Sequence, residues 1–297
     1  MGRTHLRALS GSRDVRVTGV VEPVAAVRDE LTATGLRTFA TLDELVAAGD
    51  VDAALIAAPT DLHVELVRRV ASAGLAILCE KPCGLRPEET AAAMRAAEDA
   101  GVLLQIGYWR RFVPELVRLR EQLSGGGFGE LSVIACWQWD AHPPAPSFRR
   151  RSGGILLDMG VHEFDQIRWL TGQEIEEVHA LPAAATSEEP VEGDPESIAV
   201  LAGLSDGAVA TVSLGRRFPE GDCCWLELMG TEGHIRSLFM WGEEGARVFD
   251  DALVAQAEAF AAAVRGEAQR GATGEDALRA IEAADRATHA LGVVARG

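Results

Sequence analysis

The chain has 297 residues, 47% of them hydrophobic, which is enough for two ordinary domains with well-filled cores. Its 28 basic and 45 acidic residues leave a net charge of −17, which excludes an extended nucleic-acid or anionic-membrane footprint, so an anionic ligand has to be met locally. No apolar run approaches the roughly 18 residues of a spanning helix, and Met1-Gly2-Arg3-Thr4-His5 lacks the apolar stretch of a signal peptide, so no membrane association and a cytoplasmic location are expected.

In chain order, the β-branched run 15–21 reads as a strand ending at Glu22-Pro23, and 24–34 as a helix stopped by Gly35. The alternation repeats with a strand over 38–40, a helix over 42–48, a buried strand over 53–58 and a helix over 62–73 closed by Gly74. An apolar strand follows over 75–79, then an Ala-rich helix over 87–100 and a strand over 103–106. Strands alternating with helices at this spacing predict a doubly wound parallel sheet. After Gly107 the character changes. Residues 111–123 read as a helix, Gly125-Gly126-Gly127 as a turn, 131–138 as a strand, 142–146 as a loop and 156–170 as a helix. Strand candidates over 176–181, 197–204, 208–215, 225–229 and 233–241, separated by Gly-rich turns, predict a largely antiparallel sheet, and helices over 252–265 and 275–291 end the chain. The expected fold is α/β: a Rossmann-type domain over residues 1–107 and an α+β domain over 108–297.

Five cysteines, Cys79, Cys83, Cys136, Cys223 and Cys224, form an odd set without paired C-x2-C spacing and read as reduced, buried thiols. The opening Met1-Gly2-Arg3-Thr4-His5-Leu6 resembles the end of a G-x-G-x-x-G dinucleotide turn, with Gly2 as its third glycine and the first strand and two glycines absent. That strand belongs at the centre of the sheet, so its loss removes neighbours on both sides. Two accounts stand open: Met1 is an internal methionine of a longer reading frame, or the chain binds the dinucleotide weakly or not at all. Glu22, about 20 residues after the turn, can accept from ribose hydroxyls and repel a 2′-phosphate, which favours NAD over NADP; otherwise it is a solvated strand end.

In a helix over 156–170, Asp158, His162 and Asp165 fall at i, i+4 and i+7 on one face. A carboxylate beside an imidazole that titrates near neutrality can orient the ring and stabilise its charged form, as proton transfer requires. Lys81, in Glu80-Lys81-Pro82 at the C-terminal edge of a strand inside the sheet, completes a Lys/Asp/His constellation. Asp165 reads as structural, paired with Arg168 at i+3. Pro59, Thr60 and His63 open a helix after a buried strand, where Thr60 or Asp61 can cap the N-terminus. With one histidine in the cluster, no metal is expected. Serine-hydrolase and phosphate-loop motifs are absent.

Cys79-Glu80-Lys81-Pro82 after an apolar strand, followed by Gly153-Gly154-x3-Asp158-x3-His162-x2-Asp165, resembles the Gfo/Idh/MocA family of NAD(P)-dependent sugar and cyclitol dehydrogenases. Ala57-Ala58-Pro59-Thr60-x2-His63, Gln105-Ile106-Gly107-Tyr108-x-Arg110-Arg111-Phe112 and Glu227-Leu228-Met229-Gly230-Thr231-Glu232-Gly233 extend the likeness along nearly the whole chain. The resemblance implies hydride transfer between a cyclitol or sugar hydroxyl and NAD, with His162 as base, Lys81 hydrogen-bonded to the reacting hydroxyl and Asp158 orienting both. It places Gly2, Glu22, Pro59, Thr60, His63, Glu80 and Lys81 beside the cofactor, and Lys81, Tyr108, Arg110, Asp158 and His162 at the substrate. His63 and Tyr108 have core packing as their alternative. Where inositol dehydrogenases commonly present a tyrosine to the substrate, this chain has Asp222, which changes the pocket polarity. A homodimer or homotetramer is expected, and the alternative function is a non-catalytic sugar-binding or scaffolding relative.

Overall fold

The computed structural model describes residues 1–183 and 191–294. Its first part runs α1 (Gly2–Leu9), β1 (Val20–Val21), α2 (Ala25–Ala33), β2 (Thr38–Phe39), α3 (Leu42–Ala48), β3 (Ala53–Ile56), a 3-10 turn at Thr60–Leu62, α4 (His63–Ser72), β4 (Ala76–Cys79), α5 (Pro87–Asp99) and β5 (Leu104–Ile106). A 3-10 turn at Trp109–Phe112 leads to α6 (Pro114–Ser124), β6 (Leu131–Trp139), α7 (Pro146–Arg149) and a π-helical turn over Leu156–Gly160 that continues as α8 (Val161–Thr171). Strands β7 (Ile175–Pro182), β8 (Ser197–Leu204), β9 (Val209–Gly215), β10 (Cys223–Gly230) and β11 (His234–Met240) follow, then α9 (Gly242–Val264) and α10 (Gly274–Val294).

All pairings in the first part are parallel, but they form two pieces: β1 with β2, and β3 with β4 and β5. No described strand joins β1 to β3, where the doubly wound order puts its first strand. This corrects the expected strand over 15–21. Only Val20–Val21 is laddered, because a backbone without a neighbour has nowhere to place its hydrogen bonds. Val15 and Val17 instead pack with Leu9, Leu78, Ala257 and Phe260, so α1 and α9 cover this end of the sheet.

The expected helix over 111–123 is broken at Val113, since Pro114 donates no N–H and starts α6 at its first turn. The second sheet has the order β11-β10-β6-β9-β8-β7. It is antiparallel except between β6 and β9, which run parallel from Val133↔Val209 to Trp139↔Gly215. Alternate residues such as Ile134, Val200, Val212 and Leu226 point into a core shared with α8 and α10. The outer face carries the exposed Leu181, Leu201, Met229 and Leu238. It also carries a cluster of rings in which Trp137 stacks on Trp225 at 5.1 Å. Gly215 is required beneath this cluster, because a Cβ there would lie 2.1 Å from the Trp139 ring.

Candidate active site

Strand β4 delivers Glu80 and Lys81 at its C-terminal end. Glu80 is buried, with Oε1 2.6 Å from His5 Nε2 in α1 and Oε2 accepting from the Lys81 N–H at 3.2 Å, which pins the backbone where the lysine leaves the sheet. Lys81 Nζ donates to the Asp158 carbonyl at 2.6 Å and stands 3.8 Å from Asp158 Oδ1. It is the one lysine among the 28 basic residues of the chain. A compact amine with rotatable donors is something a planar guanidinium cannot imitate. That singularity is a signal in the sequence, independent of the motif.

Gly153 and Gly154, at φ +79° and +82°, turn the chain into the segment bearing Asp158, and the Ile155 N–H that follows donates to Asp194 Oδ1 at 2.7 Å. The π-helical turn over Leu156–Gly160 winds wider than 3.6 residues, so the spacing argument for one shared face is corrected. Asp158 and His162 make no hydrogen bond to each other. The Asp158 carboxylate meets Lys81 and Arg216, whose Nη1 donates to Oδ2 at 3.0 Å. Asp165 accepts two hydrogen bonds from Arg111, at 2.6 and 3.0 Å, and the expected Arg168 partner goes to Glu174 instead.

His162 is 6% exposed, its ring edge-on to Tyr108 and Trp109 with centroids 5.9 and 6.2 Å away. Burial, and then the charges of Lys81 and Arg110, push its pKa well below the usual 6.5. This reverses the expectation of a ring whose charged form is stabilised by an acid. The ring is neutral at physiological pH and able to accept a proton. Asp140, at the end of β6, is a residue that the motif reading passes over. Burial, then Asp222 and Asp158, push its carboxyl up to about 6, against the pull of Arg216 and Lys81. Asp222 itself is exposed and accepts from the Ala141 N–H at 2.8 Å.

Other predicted residues are placed less simply. Arg110 is buried and donates to Glu163 (2.6 Å), Gln166 (3.1 Å), Gln138 (2.8 Å) and Cys224 Sγ (3.2 Å). It ties the 3-10 turn to α8, β6 and β10, and is not an open substrate contact. His63 has Nδ1 2.8 Å from the Pro82 carbonyl and Nε2 2.9 Å from that of Ala58, which leaves neither nitrogen for a cofactor. Neither Thr60 nor Asp61 caps the turn, and Asp61 pairs with Arg151 at 2.6 Å. Tyr108 is buried, its ring edge-on to His162 and its hydroxyl without a hydrogen-bond partner. Gly2 opens α1 with nothing within 4 Å of an added Cβ, and half-buried Glu22 accepts from the Val24 N–H at 2.9 Å through one oxygen. Glu22, Pro59-Thr60 and Lys81 thus follow the C-terminal ends of β1, β3 and β4, where doubly wound sheets bind ligands. They fit the ribose and nicotinamide portions of a dinucleotide. Of a glycine-rich phosphate turn the chain contributes Gly2 alone.

Residues 1–108 match the model of an oxidoreductase family with an NAD-binding Rossmann fold, and 116–236 match a GFO/IDH/MocA C-terminal domain. The chain is 48% identical over 291 residues to the rhizopine catabolism protein MocA of Rhizobium meliloti, covering 98% of this chain and 92% of that one. It is 30% identical over 309 residues to an inositol 2-dehydrogenase of Rhizobium meliloti, covering 98% and 94%. Among solved structures, a Lactobacillus casei scyllo-inositol dehydrogenase with bound NAD(H) and scyllo-inositol superposes at a TM-score of 0.87 with 27% identity, covering 99% of this chain and 94% of that one. A parallel sheet with Lys81 at the C-terminal edge of its strands, a second sheet backing Asp158 and His162, and these matches agree: the chain belongs to the Gfo/Idh/MocA oxidoreductase family.

Proposed function

We propose that the chain is an NAD-dependent dehydrogenase of a cyclitol or sugar hydroxyl, in which His162 takes the hydroxyl proton while Lys81 and Asp158 hold the oxygen. The observation that carries this reading is the Lys81 ammonium, 2.6 Å from the Asp158 carbonyl and 3.8 Å from its carboxylate, beside a buried, neutral His162. NAD, when bound, supplies the hydride acceptor. The chain's own residues handle proton and charge. His162 accepts the proton without first having to lose one. Lys81 has further N–H donors beyond the one given to Asp158, and a cation there favours the alkoxide that develops as the proton leaves.

Glu22 supports NAD over NADP, since its second oxygen is open at the end of β1. The relatives named as inositol dehydrogenases support a cyclitol. Residues 1–107 serve as the cofactor domain and 108–297 as the substrate and assembly domain, with the apolar outer sheet face buried between copies in a homodimer or homotetramer. The test is His162→Ala, assayed on myo-inositol, scyllo-inositol and aldoses with NAD and NADP. Turnover should fall by about 10²- to 10⁴-fold with NAD affinity nearly unchanged. Near-parental turnover on every substrate that the parent oxidises would make His162 structural and the mechanism wrong.

A further inference from the structure

Arg216 follows β9 directly, its N–H held by the Glu196 carbonyl at 2.9 Å, and its side chain is 0% exposed. A charge this deep is costly to bury, and an ion pair around it is weak support for stability. Nor is the guanidinium fully satisfied, since neither Nε nor Nη2 has a hydrogen-bond partner. What it does reach is the proposed site. Nη1 donates to Asp158 Oδ2 at 3.0 Å, and Nη2 lies 3.6 Å from Asp194 Oδ1. Asp194 in turn accepts from the Ile155 N–H at 2.7 Å and from Arg149 Nε at 2.6 Å. One chain of charges therefore grips the π-helical turn twice, at Ile155 through Asp194 and at Asp158 through Arg216. The Asp158 carboxylate has one oxygen on Arg216 and the other turned to Lys81.

We propose that Arg216 is a positioning residue for the reaction: by holding Asp158 Oδ2 it sets Oδ1 and the Asp158 carbonyl against the Lys81 ammonium, and so fixes where that ammonium meets the substrate oxygen. The inference rests on the reading of Lys81, Asp158 and His162 as the reacting set. A guanidinium suits the task because its rigid fork can address two acids at once, whereas a lysine would address one.

The test is a kinetic cycle of R216Q, R216K, D158N and D158N/R216Q, with H162A run alongside. R216Q should lower kcat on the order of 10²-fold, as a misplacement of about 1 Å does, with the KM for NAD unchanged. R216K should recover part of the loss. In the D158N background R216Q should add no further loss, because residues acting as a unit are not additive. If R216Q does not fold, R216K takes its place in the cycle, with a smaller loss of kcat that likewise adds nothing in the D158N background. The single lysine gives a readout apart from turnover. Reductive ¹³C-methylation yields one lysine resonance, assigned by its loss in K81R, which should move in R216Q and return towards the parental position in R216K. Parental kcat with an unmoved resonance, or losses that multiply between R216Q and D158N, would overturn the proposal. Parental turnover in H162A would instead locate the failure in the reading of the site itself.

Discussion

At the scale of single residues, His162 and Asp140 titrate in opposite senses. A base acts when unprotonated, and burial with the nearby Lys81 and Arg110 depresses the His162 pKa well below 6.5, so kcat/KM should be level through neutrality with its acid limb displaced below that value. A measured limb at or above 6.5 would contradict this environment for the ring. The same depression costs stability as pH falls below the unfolded value, where the unfolded ring binds a proton that the folded one refuses. Asp140 runs the other way. With its carboxyl raised from 3.8 to about 6, the folded state binds the proton more tightly in that window, and the ionised form is a burden above it. Asp140→Asn should therefore stabilise the fold at about pH 8, on the order of 2 kcal/mol, and lose that gain by about pH 4. Thermal unfolding with an equal gain at both pH values would show that burial of charge is not the cause.

At the scale of elements, the Gly153-Gly154 turn governs how the π-helical turn presents Asp158. Gly154 sits at φ +82°, and a Cβ there would come within 3.5 Å of Asp194 Oδ1, the acceptor for the Ile155 N–H. Gly154→Ala should cost about 1–2 kcal/mol of stability for the left-handed backbone, and kcat should drop with NAD affinity unaffected. A parental kcat would mean that the start of the turn does not control the site.

For the whole molecule, the distribution of apolar surface matters more than the net charge of −17. Leu181, Leu201, Met229 and Leu238 stand exposed on one sheet face, next to the half-buried rings of Trp137 and Trp225. A broad apolar face of this kind is stable when covered, and in the proposed assembly a second copy would cover it symmetrically. Leu201→Arg on that face should shift the protein to smaller species in light scattering. A parent that is already monomeric at micromolar concentration would rule out the arrangement. No helix among the described residues is long and apolar enough to cross a membrane.

What the sequence by itself determined was local or carried by motif. Apolar periodicity and helix stops depend on neighbours a few residues apart, so the alternation from α2 to β5 and the strands from β7 to β11 are legible within a residue or two. Motif order brought Lys81 to the segment of Asp158 and His162, and Lys81 does meet Asp158 across 77 positions. The tertiary structure alone decided which charges answer which. Asp165 finds Arg111 at a separation of 54 residues, and Arg216 reaches Asp158 at a separation of 58. The neutrality of His162 comes from burial and from cations on two other segments, and no helical wheel contains them. The strand over 15–21 is lost for want of a neighbour, and the turn at Leu156–Gly160 is held by Asp194 on a distant loop. Hydrogen bonds, desolvation and ion pairing are set between surfaces that meet only when the chain has folded, so spacing along the chain can propose them but not select among them.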